Sequence, residues 1–135
     1  MSTASMDAIR RRSGATRVTV AGLVLTAAGM LLQISGGSTL YPSLTGPIVL
    51  ALTALVVAFV PGRWTAYLGL VVPLVLGVGA VVAAAMTGDF TGQLTGPANL
   101  SVFLGSLMHI VGLVSAVAGG LGMVVGRRAE AARGR

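Results

Sequence analysis

The chain has 135 residues, of which 55% are hydrophobic and 9% are charged, and so little polar surface excludes a water-soluble domain. It contains no Cys, which excludes disulfides, thiolate nucleophiles, iron–sulfur clusters and zinc sites built on Cys. The net charge of +6 comes from nine arginines confined to the ends and one short loop, so we expect contact with membrane lipids and no nucleic-acid partner.

The first predicted elements are a basic tail and an apolar helix. Residues 1–17 form the basic tail; residues 1–16 show no apolar periodicity, and we expect them to be disordered or frayed. Residues 18–34 form a largely apolar run of 17 residues, near the lower limit for crossing a hydrocarbon core of about 30 Å. A signal peptide has a similar pattern, but no small-residue cleavage site follows, so we expect the helix to be retained. The Ser35–Gly37 segment predicts its end.

The second and third predicted spans form a tight hairpin. Residues 44–60 make the second span, with Pro47 suited to the first helical turn, where its missing N–H would have no partner. Pro61 and Gly62 end it. Residues 65–86 make the third span, and Pro73 within it predicts a kink.

The fourth predicted span covers residues 97–125 and is followed by a basic tail, residues 126–135. At roughly 28 residues this span is longer than a bilayer requires, so it should tilt, kink or protrude. The connection before it, residues 87–96, carries Asp89, which we interpret as a solvated loop charge or helix-proximal cap, with contact to a partner on the outer side as the alternative.

The arginines alternate between the connections, and this pattern predicts the topology. Cytoplasmic segments carry the Lys/Arg excess of membrane proteins. We therefore predict an all-α integral membrane protein with four transmembrane helices, arranged as two consecutive hairpins with both termini cytoplasmic. The absence of Lys beside abundant Ala, Val and Gly suggests a GC-rich bacterial genome, hence the inner (plasma) membrane. The arginines expected to fix orientation and contact lipid head groups are Arg10, Arg11, Arg12, Arg63, Arg127 and Arg128.

An internal repeat occurs at an offset of 50 residues. The segments 44–47 and 94–97 both read LTGP, and each stands at the expected outer start of an inward-going helix. Gly29 and Gly79 also coincide in the preceding spans. A duplicated hairpin would explain this match, whereas simple helix capping explains the same residues without duplication.

Two faces of small residues predict how the helices pack, because close approach between helices drives association in lipid. They could meet each other, or one could receive a helix from another subunit. The third span carries Gly69, Pro73, Gly77, Ala80 and Ala84, and the fourth carries Ser101, Gly105, His109, Gly112, Ala116 and Gly120.

His109 is the only ionisable side chain within a predicted span, and ionisable groups in membranes are candidates for function. We favour a packing role between Gly105 and Gly112; pH sensing, quinone contact and haem ligation across a homodimer are the alternatives. Ser106, three residues earlier, is expected to bond a carbonyl one turn back. No carboxylate in a span would orient a catalytic His, so we expect no enzyme, metal site or cofactor.

Residue types and motifs that the sequence lacks narrow the range of functions. No span contains the carboxylate that coupled transporters use, and no phosphate-binding motif is present. We predict an accessory, structural or assembly subunit that packs against a larger membrane complex or forms a homo-oligomer. The alternatives are a channel, a holin-like pore or an uncoupled small-molecule or lipid transporter, and an electron-transfer subunit that uses His109.

Overall fold

The computed structural model describes residues 3–38, 43–87 and 99–134. Within these residues the chain is all-helical and forms four helices. They are α1 (Thr3–Ser35), α2 (Thr45–Phe59), α3 (Arg63–Thr87) and α4 (Leu100–Arg133). Three segments are long and apolar enough to cross a membrane, namely Gly14–Ser35, Arg63–Met86 and Leu100–Arg133. The 15 residues of α2 rise only about 22 Å, less than a hydrocarbon core of about 30 Å.

Both ends of the chain are more helical than expected. The prediction of a disordered segment is wrong for residues 3–16, since α1 begins at Thr3. Ala, Met and Arg favour helix, and adding residues to an existing helix avoids the cost of nucleation. At the other end α4 continues through residues 126–133 of the expected basic tail.

The end of α1 is set by glycine, as predicted. The amide of Ser38 donates to the carbonyl of Gln33 over 2.9 Å, and that of Gly37 donates to Ile34 over 3.1 Å. This pair of bonds is the Schellman motif, which requires a left-handed residue at the position of Gly37. Gly37 has a φ of +80°.

The connection between α2 and α3 contains only residues 60–62, so these two helices form the predicted tight hairpin. Thr65 supports the start of α3 by donating its hydroxyl to the carbonyl of Gly62 over 2.7 Å. Trp64 and Tyr67 are both exposed beside this turn, with ring centroids 6.5 Å apart. Amphipathic rings favour such a position at the level of lipid head groups.

The helices pack in a ring, because each contacts the next and α4 closes onto α1. The α1–α4 contact is the most extensive, while α1 and α3 barely touch across the bundle. The core between them includes Leu23, Leu50, Ala54 and Ala116. Most large apolar side chains outside it are exposed, with Val75 and Val78 of α3 above 60%. Such a surface suits lipid or another apolar helix.

Only part of the internal repeat lies in the described residues. The first LTGP segment starts α2, with Pro47 buried, but the second, residues 94–97, lies outside them, as do Asp89 and the expected start of the fourth span. Gly29 and Gly79 have different surroundings: Gly29 contacts the backbone of α4, whereas a Cβ on Gly79 would meet nothing within 4 Å. The kink at Pro73 stays a prediction; Pro73 itself is buried within α3.

Candidate functional site

The backbones of α1 and α4 touch along a line of glycines that we call the glycine seam. A Cβ added to Gly29 would lie 2.6 Å from the carbonyl oxygen of Gly105, and one added to Gly112 would lie 2.7 Å from that of Gly22. Real Cβ atoms cannot approach backbone atoms so closely, so these positions accept glycine alone at this helix separation. The seam consists of Gly22 and Gly29 on α1 and Gly105, Gly112 and Gly119 on α4.

Seven-residue spacing explains the seam. Two helical turns take about seven residues, so glycines seven residues apart lie on the same side of a helix. Two helices that cross at a small angle keep such positions facing each other over several turns. The two helices run antiparallel, because Gly119 contacts Thr19 whereas Gly105 contacts Gln33. Glycine at every second turn therefore brings the helix axes together where a larger side chain would separate them.

Polar side chains are buried beside the seam, where two threonines of α1 satisfy themselves locally. Thr26 donates its hydroxyl to the carbonyl of Gly22 over 2.7 Å, and Thr19 is 2.9 Å from the carbonyl of Ala15. The Thr19 hydroxyl also lies 3.4 Å from the sulfur of Met123 on α4, a weaker acceptor. These bonds leave the threonine methyl groups free to pack in the narrow interface.

Ser106 behaves as the sequence predicts. Its hydroxyl donates to the carbonyl of Val102 over 2.8 Å, one turn back along α4. The single hydroxyl proton is thereby directed at the backbone.

His109 lies inside the seam and is 7% exposed. A Cβ on Gly29 would come within 2.6 Å of the His109 amide nitrogen, so α1 covers this turn of α4 directly. The imidazole therefore faces the inside of the chain's own bundle. The packing role suggested by its flanking glycines stays a prediction.

Gln33 is a buried polar residue that sequence reasoning missed. It is 2% exposed and lies against Gly105, where an added Cβ would be 2.8 Å from the Gln33 Cγ. Its Oε1 accepts no hydrogen bond from any residue that the structure describes. The signal available was a 3–4 alternation of small and polar residues along α1, formed by Thr19, Gly22, Thr26, Gly29 and Gln33.

The two faces predicted on α3 and α4 meet only in part. Gly120 lies against α3, since an added Cβ would be 2.8 Å from the carbonyl of Gly69, and Gly77 receives the side chain of Leu113. Gly69 also contacts the Thr19 methyl group. Gly105, Gly112 and Ala116 face α1 instead. The face that could have received a helix from another subunit is thus covered by the chain's own first helix.

Asn99 links the C-terminal end of α1 to the N-terminal end of α4. Its side-chain oxygen accepts from the amide of Ser101 over 3.2 Å, which caps α4, while its Nδ2 donates to the carbonyl of Gly36 over 2.6 Å. The cap satisfies an amide that has no partner in the helix. Sequence reasoning missed this role because it started the helix at Pro97.

The described arginines share one end of the bundle. Gly69 of α3 lies level with Thr19 of α1 and Gly120 of α4, so the start of α3, the start of α1 and the end of α4 point the same way. Arg63, Arg127 and Arg128 therefore lie at this end, which we call the arginine end. Arg10, Arg11 and Arg12 belong to α1, but their side chains are outside the described residues.

In the described parts of the chain, no group of three or more His, Asp or Glu residues could hold a metal ion. Comparisons with protein-family models, with curated proteins and with solved structures find no match to this chain. The geometry of the bundle is therefore the basis for assigning a function.

Proposed function

We propose that this chain is a non-enzymatic accessory subunit of the bacterial inner membrane, with four spans, that packs against a larger membrane complex or further copies of itself. The observation that carries the proposal is the glycine seam. It uses the small and polar residues of α1 and α4 to close these helices on each other, backbone against backbone. What remains outside is a largely apolar helix surface, which suits a partner helix.

The orientation follows from the arginine end. Arg63, Arg127 and Arg128 at one end of the bundle favour placing that end in the cytoplasm, together with both termini. The shortness of α2 is compatible with a fourth crossing, since the apolar Leu44, Val60 and Pro61 flank it. Local thinning of the bilayer or contact with a partner accommodates the remaining difference in length.

The exposed side of α3 offers the best surface for a partner helix. Val75, Val78 and Val82 are more than half exposed along it. Gly79 lies among them, and no atom would lie within 4 Å of a Cβ at this position. Glycine weakens a helix by about 1 kcal/mol relative to Ala, and packing inside this bundle does not require it here. The close approach of a helix from outside the bundle would require glycine at this position.

The alternative functions receive less support. A pore between α1 and α4 would need space where the structure has backbone contact. Haem ligation across a dimer would need the imidazole of His109 at the surface, and it is buried beneath α1.

The test is purification of the full chain from its native membrane in mild detergent, followed by native mass spectrometry. We expect a stoichiometric membrane partner or a defined homo-oligomer. Gly79→Leu should lower recovery of that complex about tenfold, corresponding to ~1.4 kcal/mol. Gly126→Leu is the matched control, because a Cβ there also meets no neighbour. A monomer without a partner, or equal loss in both variants, would contradict the proposal.

A further inference from the structure

An open apolar groove of about 580 Å³ runs along the outer side of α1 and reaches α2. Its wall on α1 includes Val20, Ala21, Val24 and Ala28, and Ala58 closes it from α2. Arg17 is the charged residue among its lining residues and stands at one end. The groove is thus an apolar trough with a cation at its mouth.

The length of the groove matches one leaflet of a bilayer. Arg17 and Ala28 are separated by eleven helical residues, which rise about 16 Å. Half of a hydrocarbon core of about 30 Å is nearly the same length. A hydrocarbon chain that starts near Arg17 would therefore follow the groove towards the middle of the membrane.

The charge at the mouth favours an anion. Arg17 is exposed and forms no ion pair with a described residue. It lies on the turn of α1 next to Thr19, close to the arginine end of the bundle. A guanidinium binds phosphate oxygens through two parallel hydrogen bonds, a geometry that ammonium groups lack.

We propose that this groove binds one anionic phospholipid of the leaflet at the arginine end. The phosphate lies at the guanidinium of Arg17, and one acyl chain lies along Val20, Val24 and Ala28. The site depends on insertion in a membrane and is independent of the accessory role proposed above.

A second copy of the chain suits the groove less well. All copies insert with the same orientation, so a neighbouring α1 would bring its own Arg17 and the arginines before it to the same depth. Like charges at close range repel each other, most strongly near a low-dielectric phase. An anionic lipid neutralises the cation instead.

Native mass spectrometry of the full chain tests the site, with phosphatidylglycerol and phosphatidylcholine of identical acyl chains as the probes. We expect one phosphatidylglycerol to stay bound after detergent exchange. Arg17→Gln should weaken its binding about fivefold, since one cation near an anionic surface contributes about that factor. Ala21→Phe should fill the exposed groove and weaken binding of the same lipid by at least about tenfold, because the acyl chain loses its apolar contact.

Two controls separate the groove from general attraction. Arg128→Gln removes an exposed charge at the arginine end, and Ala118→Phe adds a ring to an exposed position of α4; both should bind the lipid like the original chain. Equal losses in Arg17→Gln and Arg128→Gln, equal retention of the two lipids, or unchanged binding in Ala21→Phe would each overturn the site. A dimer that lacks lipid and dissociates in Ala21→Phe would overturn it in favour of a protein occupant.

Discussion

Single glycines in this chain differ sharply in what they do, although the sequence presents them alike. Gly29 and Gly79 both lie within an apolar helical segment, 50 residues apart. At Gly29 the nearest atoms belong to the backbone of α4, which cannot rotate away as a side chain can. At Gly79 no atom is near. The cost of an added methyl group therefore depends on the facing element.

This difference predicts the stability of two matched variants. Gly29→Ala should lower the free energy of unfolding by about 1–3 kcal/mol, because the added Cβ forces α1 and α4 apart. Gly79→Ala should leave stability unchanged or raise it by up to about 1 kcal/mol through helix propensity. Thermal unfolding in mild detergent, followed by circular dichroism, measures both. Equal behaviour of the two variants would show that the seam does not govern stability.

At the scale of helices, the sequence predicts where elements break better than which faces meet. The ends at Ser35–Gly37 and Pro61–Gly62 are confirmed, because glycine and proline act through local backbone geometry. The pairing of α1 with α4 is different, since the two segments are far apart in the sequence. A membrane helix is apolar on all sides, so it lacks the polar face that indicates orientation in a soluble protein.

For the same reason, the sequence predicts only part of the candidate site. The small residues of α4 stand out, since Gly105, Gly112 and Gly120 lie near a histidine. Their partner on α1 is less conspicuous, because Leu and Val separate its glycines. Gln33 stands within a largely apolar run of the sequence, which does not show that it is buried against Gly105. Small and polar residues recur every three or four positions on both helices, but this spacing alone does not show which helix packs against which.

The contact between the ends of α1 and α4 gives a prediction at this scale. Asn99→Ala removes both the cap of α4 and the bond to Gly36, and should cost about 1 kcal/mol or more. Asn99→Asp keeps an acceptor for the amide of Ser101 but loses the Nδ2 donor. Unfolding measurements should place Asn99→Asp between Asn99→Ala and the original chain. If Asn99→Asp were as stable as the original, the bond to Gly36 would contribute nothing.

At the scale of the whole molecule, the packing of α2 supports a membrane crossing that the length of this helix alone does not support. The start of α2 lies near the C-terminal end of α1, where a Cβ on Gly46 would be 2.7 Å from the Met30 methyl group. Near its other end, Val57 contacts Gly69, which is level with Thr19. The short α2 therefore connects the arginine-free end of the bundle to the arginine end, the path that a membrane-spanning return helix follows.

Reporter fusions should accordingly place both termini and the α2–α3 turn on the cytoplasmic side, with residues 38–44 and 88–98 outside. Arg63→Gln should leave this topology intact, because the arginines at both ends of the chain still dominate orientation. Adding two arginines after Gly37, on the expected outer side, should instead produce a mixed population. An α2 that failed to cross would leave the α2–α3 turn outside. From that turn α3 would cross inward and α4 would cross outward again. The turn and the C-terminus would then both report outside, while the N-terminus reports inside. This result distinguishes a three-span chain from a four-span chain.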